Sequence, residues 1–209
     1  MPRDDKLPSF EKTGEMARAK PTGDLHSTLH AEVIEDAGEW SVFATFDEIQ
    51  KIVNRSIVAV VGSQNVSGQL PSTPAGLEFA VVLSDDAAIA RLNHQFRGKE
   101  GPTNVLSFPA PGQFAQTDAN APRPLGDVVL ALETVLNEAA QMSRTPRDHF
   151  THLIVHGLLH LIGYDHINEV DAEEMEMLET EILATLGISD PYAGADSPGF
   201  ALDQTPRET

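Results

Sequence analysis

The chain has no cysteine, one tryptophan and two tyrosines, and its 14 Lys and Arg face 32 Asp and Glu. Without cysteine there is no disulfide framework and no thiolate to bind a metal, a composition that fits a reducing compartment. Long hydrophobic runs are absent too. The apolar stretch at 57–61 is far too short to span a bilayer. The first ten residues, MPRDDKLPSF, lack the apolar core of a signal peptide. These absences together predict a soluble, cytoplasmic protein with no membrane partner. At 209 residues the chain is long enough for one well-buried domain.

Scarcity of positive charge bears on partners. The net charge of −18 opposes bulk attraction to nucleic acid. The deficit is uneven, however. From 167 to 206 there is no Lys or Arg, whereas Arg91, Arg97, Lys99, Arg123, Arg144 and Arg147 nearly balance the acids of the middle third. The acidity is thus mostly C-terminal, and a local basic cleft is compatible with it.

What is present is dominated by one segment, HGLLHLIGYDH at 156–166. His156 and His160 stand one turn apart on the same helix face, so their imidazoles can converge on one ion. Gly163 can end the helix in a left-handed conformation, which lets the chain turn back and bring His166 to the same ion. Three imidazoles leave one tetrahedral position of zinc open, the pattern of catalytic rather than structural sites. One zinc ion per chain is expected, although nickel, copper or iron also accept imidazole. His152 continues the stripe, but it lies ~12 Å along the axis from His160. It is therefore a supporting or structural residue, and His149 reads as polar surface. The same histidine spacing occurs in a class of zinc proteases that carry Glu after the first histidine as general base. Here that position is Gly157, which cannot move a proton.

Along the chain, residues 1–26 show no periodicity and read as a disordered extension, and 193–209 as a disordered tail, around one domain at 27–192. Strands are predicted at 29–34, 77–83, 104–108 and 127–132. Helices are predicted from Phe46 with Asp47 as cap, after Ser84 as cap, at 133–143, from Pro146 through the histidines, and at 169–186. In the last, Met175, Leu178, Ile182 and Leu186 supply the apolar stripe. Residues 62–76 and 111–124 read as loops. The fold class is α/β (α+β): a single domain with a small mixed sheet of about four strands packed by about five helices. The metal site belongs on the central, buried helix and the loop after it.

A second cluster lies at 96–109, FRGKEGPTNVLSFP. Its glycines let backbone approach a ligand, Arg97 offers a planar fork suited to phosphate, and Lys99 a point charge. Together with LGDVVLA at 125–131, HGLLHLIGYDH, the acidic helix and DPY at 190–192, this cluster resembles the YbeY family of bacterial endoribonucleases. The likeness covers roughly residues 29–192, with Phe96 where that family usually has Tyr. It implies a zinc ion on His156, His160 and His166, and roles for Arg97 and His156 in activity on single-stranded RNA. It also implies a cytoplasmic task in maturing the 3′ end of 16S rRNA with the small ribosomal subunit and its proteins, and no DNA partner.

In the mechanism expected on this basis, Arg97 and His156 are catalytic. Lys99, Asn104 and Ser107 hold the RNA backbone, and Asp165 accepts a hydrogen bond from a metal-bound histidine or simply braces its turn. Two rival classes are a metalloprotease and a zinc-braced ribosome assembly factor that does not cut.

Overall fold

A computed structural model of the chain describes residues 29–70, 75–111 and 121–193; the expected disordered segments at 1–26 and 193–209 lie outside them apart from Ala193. Four strands form one mixed sheet in the order β1-β2-β4-β3. These are β1 (Leu29–Glu35), β2 (Leu77–Ser84), β3 (Val105–Pro109) and β4 (Arg123–Ala131). β1, β2 and β4 run parallel, and β3 pairs antiparallel with β4 at the edge. Among the described residues there are six α-helices: α1 (Phe46–Gly62), α2 (Gln64–Ser67), α3 (Asp86–Arg97), α4 (Leu132–Gln141), α5 (Pro146–Ile162) and α6 (Glu169–Thr185). The expected α/β class, the four-stranded mixed sheet and the central histidine helix are all present, and α2 is a short turn inside the stretch read as a loop. No helix among the described residues is long and apolar enough to cross a membrane.

Successive strand residues point to opposite faces of the sheet, and the two faces carry cores of unequal size. Val81, Leu83, Val128 and Leu130 join the larger core with α1, α5 and α6, while Val82, Val129, Leu106 and Ala131 meet Ile89 and Leu92 of α3 on the other face. α5 is buried from His149 to Leu159, which makes it the helix around which the rest is packed. Trp40, the lone tryptophan, lies in a short 3-10 turn after β1. It donates from Nε1 to the Ser84 carbonyl (3.1 Å) and packs edge-on against Phe150 of α5.

Local chemistry moves several boundaries. α1 is capped by Thr45 rather than Asp47: the Thr45 hydroxyl accepts from the Glu48 N–H while the Glu48 carboxylate accepts from the Thr45 N–H, a reciprocal capping box. α3 is capped by Asp85, whose carboxylate accepts from the Ala88 N–H (2.7 Å), so Ser84 remains the last residue of β2. β4 begins at Arg123, four residues ahead of expectation, so Asp127 sits inside a strand, where burial raises its carboxyl above the usual range.

Part of the outer edge of β3 is occupied. In the antiparallel register the Asn104 carbonyl accepts from Ala131, and alternate residues therefore turn their backbone groups away from β4. Of these, the Val105 N–H donates to the Asn104 side chain (2.7 Å), the Ser107 carbonyl accepts from Arg97 (3.3 Å), and Pro109 has no N–H.

Candidate metal centre

Two of the three histidines come from α5. Gly163 follows the helix with φ of +114°, and the N–H groups of Gly163 and Tyr164 return to the Leu159 carbonyl. This is the left-handed ending that the sequence predicts, and it swings 164–166 back over the last turn. Asp165 accepts from the backbone N–H of His166 (2.9 Å), bracing that turn. As a result His156, His160 and His166 each present a ring nitrogen within 4.8 Å of the others.

Hydrogen bonds set which nitrogen faces the cluster. Nδ1 of His160 lies 3.0 Å from the Tyr164 carbonyl, which can only accept, so Nδ1 carries the hydrogen and Nε2 the lone pair. Nδ1 of His156 lies 2.8 Å from Oε1 of Glu179, with the same result. The two Nε2 atoms then stand 3.0 Å apart. Such nitrogens need a cation between them. A proton joins only two, whereas the third nitrogen of His166 completes a concave set that suits a metal ion. Nitrogens bound to one zinc at ~2.0–2.1 Å stand about 3.3 Å apart, close to the 3.0 Å between Nε2 of His156 and Nε2 of His160. Burial, and then the neighbouring His156, push His160 down to about 3, so its ring is neutral near pH 7, the form that can bind a metal. The same two causes lower His166. The donor set and its protonation fit a metal.

Glu179 is the part that sequence reasoning missed. It lies on α6 and is 0 % exposed. Oε1 accepts from His156, and Oε2 accepts from Nε2 of His152 (2.7 Å) and from the Tyr192 hydroxyl (2.6 Å). Burial alone would raise its carboxyl, but His156 and His152 outweigh that and hold it below the ordinary range. Burial and Glu179 raise the Tyr192 hydroxyl, so it stays a donor. The signal was in the helix phase: Glu179 stands four residues after Met175 and three before Ile182, within the apolar stripe itself. His149 is likewise not surface. It is 0 % exposed, and its Nε2 lies 2.8 Å from Glu138 of α4, because α5 enters the core from its first turn.

The second cluster touches the first through Ser107. Its carbonyl accepts from Nη2 of Arg97, and its hydroxyl donates to the Gly157 carbonyl (3.3 Å), one residue from His156. Arg97 is half-buried at the end of α3, and Lys99 is exposed in the turn beyond. Asn104 and Ser107 are buried. Asn104 donates to Glu138 (2.8 Å) and accepts from Val105, so both side chains are turned into the fold, where they position β3.

Gly157 faces the sheet. A Cβ there would stand 2.6 Å from Cγ1 of Val128 and 3.2 Å from Oγ of Ser107. The position that carries the base in the similarly spaced proteases is here a point of close helix–sheet contact, where a side chain would collide with Val128.

Fold and site define an α/β protein whose central helix and following loop carry a three-histidine cluster able to hold a metal. A family profile described as endoribonuclease YbeY matches residues 37–187. The endoribonuclease YbeY of Parvibaculum lavamentivorans is 44% identical over 83% of this chain and 89% of its own length. That of Allorhizobium ampelinum is 53% identical over 79% of this chain and 96% of its own length. A solution structure of a Thermotoga maritima protein superposes with a TM-score of 0.46 at 20% identity, covering 82% of this chain and 99% of that one. The chain belongs to the YbeY endoribonuclease family.

Proposed function

We propose that this protein is a zinc-dependent endoribonuclease that cleaves single-stranded RNA. Its place would be in the cytoplasm, with the small ribosomal subunit, in maturing the 3′ end of 16S rRNA. The observation that carries the reading is the convergence of three ring nitrogens at the end of α5, a helix linked through Ser107 of β3 to Arg97. Family membership supports the choice of RNA as substrate.

His156, His160 and His166 would hold the ion. When bound, zinc supplies Lewis-acid polarisation of phosphate oxygen and water. The remaining work falls to the chain. Arg97 offers its guanidinium fork to the phosphodiester and stabilises the charge that builds on the phosphoryl oxygens. Lys99 adds a flexible positive charge toward the RNA backbone. Ser107 keeps β3 and α5 in register, so that phosphate held by Arg97 meets the histidine cluster in fixed geometry. Glu179 keeps the proton of His156 on Nδ1. A protease reading lacks its base, because Gly157 is packed against Val128.

The test is metal content and cleavage of a single-stranded RNA by wild type, Arg97→Ala and His156→Ala from one preparation protocol. Wild type should hold one zinc and cut. His156→Ala should lose both properties, and Arg97→Ala should keep zinc but lose about 10²-fold or more in rate. Zinc-loaded wild type that never cuts RNA would leave only a binding role. Analysis of the new RNA ends gives the route: a cyclic phosphate means that the ribose 2′-hydroxyl attacks.

A further inference from the structure

We infer that Glu179 is the positioning residue for His156, and that Tyr192, from the segment after α6, completes this support so that residues 190–192 belong functionally to the metal site. The inference rests on reading the three-histidine cluster as a metal site, and it adds two residues that touch no ligand position.

The geometry leaves Glu179 little other purpose. It is an acid in the interior between α5 and α6, a location that charged groups occupy only when fully partnered. An apolar side chain in that stripe would pack at no such cost. Its two oxygens are divided by task. Oε1 serves His156 alone, whereas Oε2 takes His152 and Tyr192 together. With Oε2 anchored from two sides, Oε1 has a fixed direction. A fixed acceptor at Nδ1 sets the tautomer and ring plane of His156 and raises the basicity of its Nε2. His160 obtains the same service from the Tyr164 carbonyl.

Tyr192 is itself held in place. Its backbone N–H donates to the Asp190 carboxylate (2.8 Å), Thr180 of α6 donates to the same oxygen (3.2 Å), and Arg144 donates to the Pro191 carbonyl. The ring lies edge-on to His152, with centroids 5.9 Å apart. Residues 190–192 are thus fixed against α6 and Arg144 and deliver one donor to Glu179.

The test measures zinc affinity by chelator competition for wild type, Glu179→Gln and Tyr192→Phe, with thermal unfolding of each zinc-free protein alongside. Glu179→Gln, whose NH2 group opposes a donor in either amide orientation, against His156 in one and against His152 and Tyr192 in the other, should weaken zinc by about 10- to 100-fold. Tyr192→Phe, which removes one oxygen and leaves the ring, should weaken it by a smaller but measurable factor, about 3- to 10-fold by the same reasoning. Substituted cobalt should show a shifted visible spectrum in both variants. A folded variant pair with wild-type zinc affinity and an unchanged cobalt spectrum would overturn the inference, whatever the unfolding temperatures do. Should Glu179→Gln fail to fold, Tyr192→Phe decides alone. Failure of the metal reading is separately visible: wild type and His160→Ala would then bind zinc equally poorly.

Discussion

At the scale of single residues, Gly157 shows how one position can be read twice. In the sequence it marks a missing base; in the fold it is the contact point of α5 with β4, and the second fact explains the first. Gly157→Ala places a methyl 2.6 Å from Val128 Cγ1. Its expected cost is about 1–3 kcal/mol, through displacement of α5 from the sheet. Denaturant unfolding measures this, and an unchanged midpoint would mean that the helix can shift without penalty. The three histidines were legible because helical periodicity and a glycine stop determine where they point. Glu179 was not, because in an acidic helix one more carboxylate reads as solvated surface until the phase of the apolar stripe is followed through it. Asn104 and Ser107 were recognised as special, but a sequence cannot tell a polar side chain aimed at RNA from one aimed at Glu138 or the Gly157 carbonyl.

At the scale of elements, strand and helix identities followed from hydrophobic period, and the errors fall at the ends. The cap of α1 is the clearest case. Thr45 and Asp47 are both good capping types, and only the reciprocal bonds with Glu48 decide between them. Thr45→Ala should destabilise the protein by about 1 kcal/mol. Asp47→Ala should cost only ~0.3 kcal/mol, the share of an acid in the first helical turn. Equal effects in chemical denaturation would restore Asp47 as the cap. The four-residue error at the start of β4 has a different origin. Arg123 and Pro124 lack strand character, and they are strand because β2 pairs with them, which is tertiary context overriding propensity.

At the scale of the whole molecule, histidines buried along one helix make stability depend on acidity. His160 is pushed down to about 3, and His152 and His166 are also lowered, by burial before all else. In the unfolded chain these rings take up protons below about 6.5, while in the fold they resist, so the unfolded state binds more protons. Glu179 acts in the same direction, since its lowered carboxyl contributes stability above the ordinary 4.5 that is lost below it. Zinc-free protein should therefore hold a constant denaturation midpoint above pH 7 and lose stability steadily from about 6.5 toward 3. A midpoint that stays level to pH 4 would show that the buried rings are protonated without penalty. The partly occupied edge of β3 has a consequence of this size as well. A strand edge with open backbone groups is a template for pairing with another copy. Arg97 occupies the Ser107 carbonyl, one of the outward backbone groups of that edge, in addition to the phosphate-binding role proposed for it. Replacing it with alanine uncovers that carbonyl, so lost cleavage in this variant carries mechanistic weight only alongside light scattering that finds the protein in its original state of association.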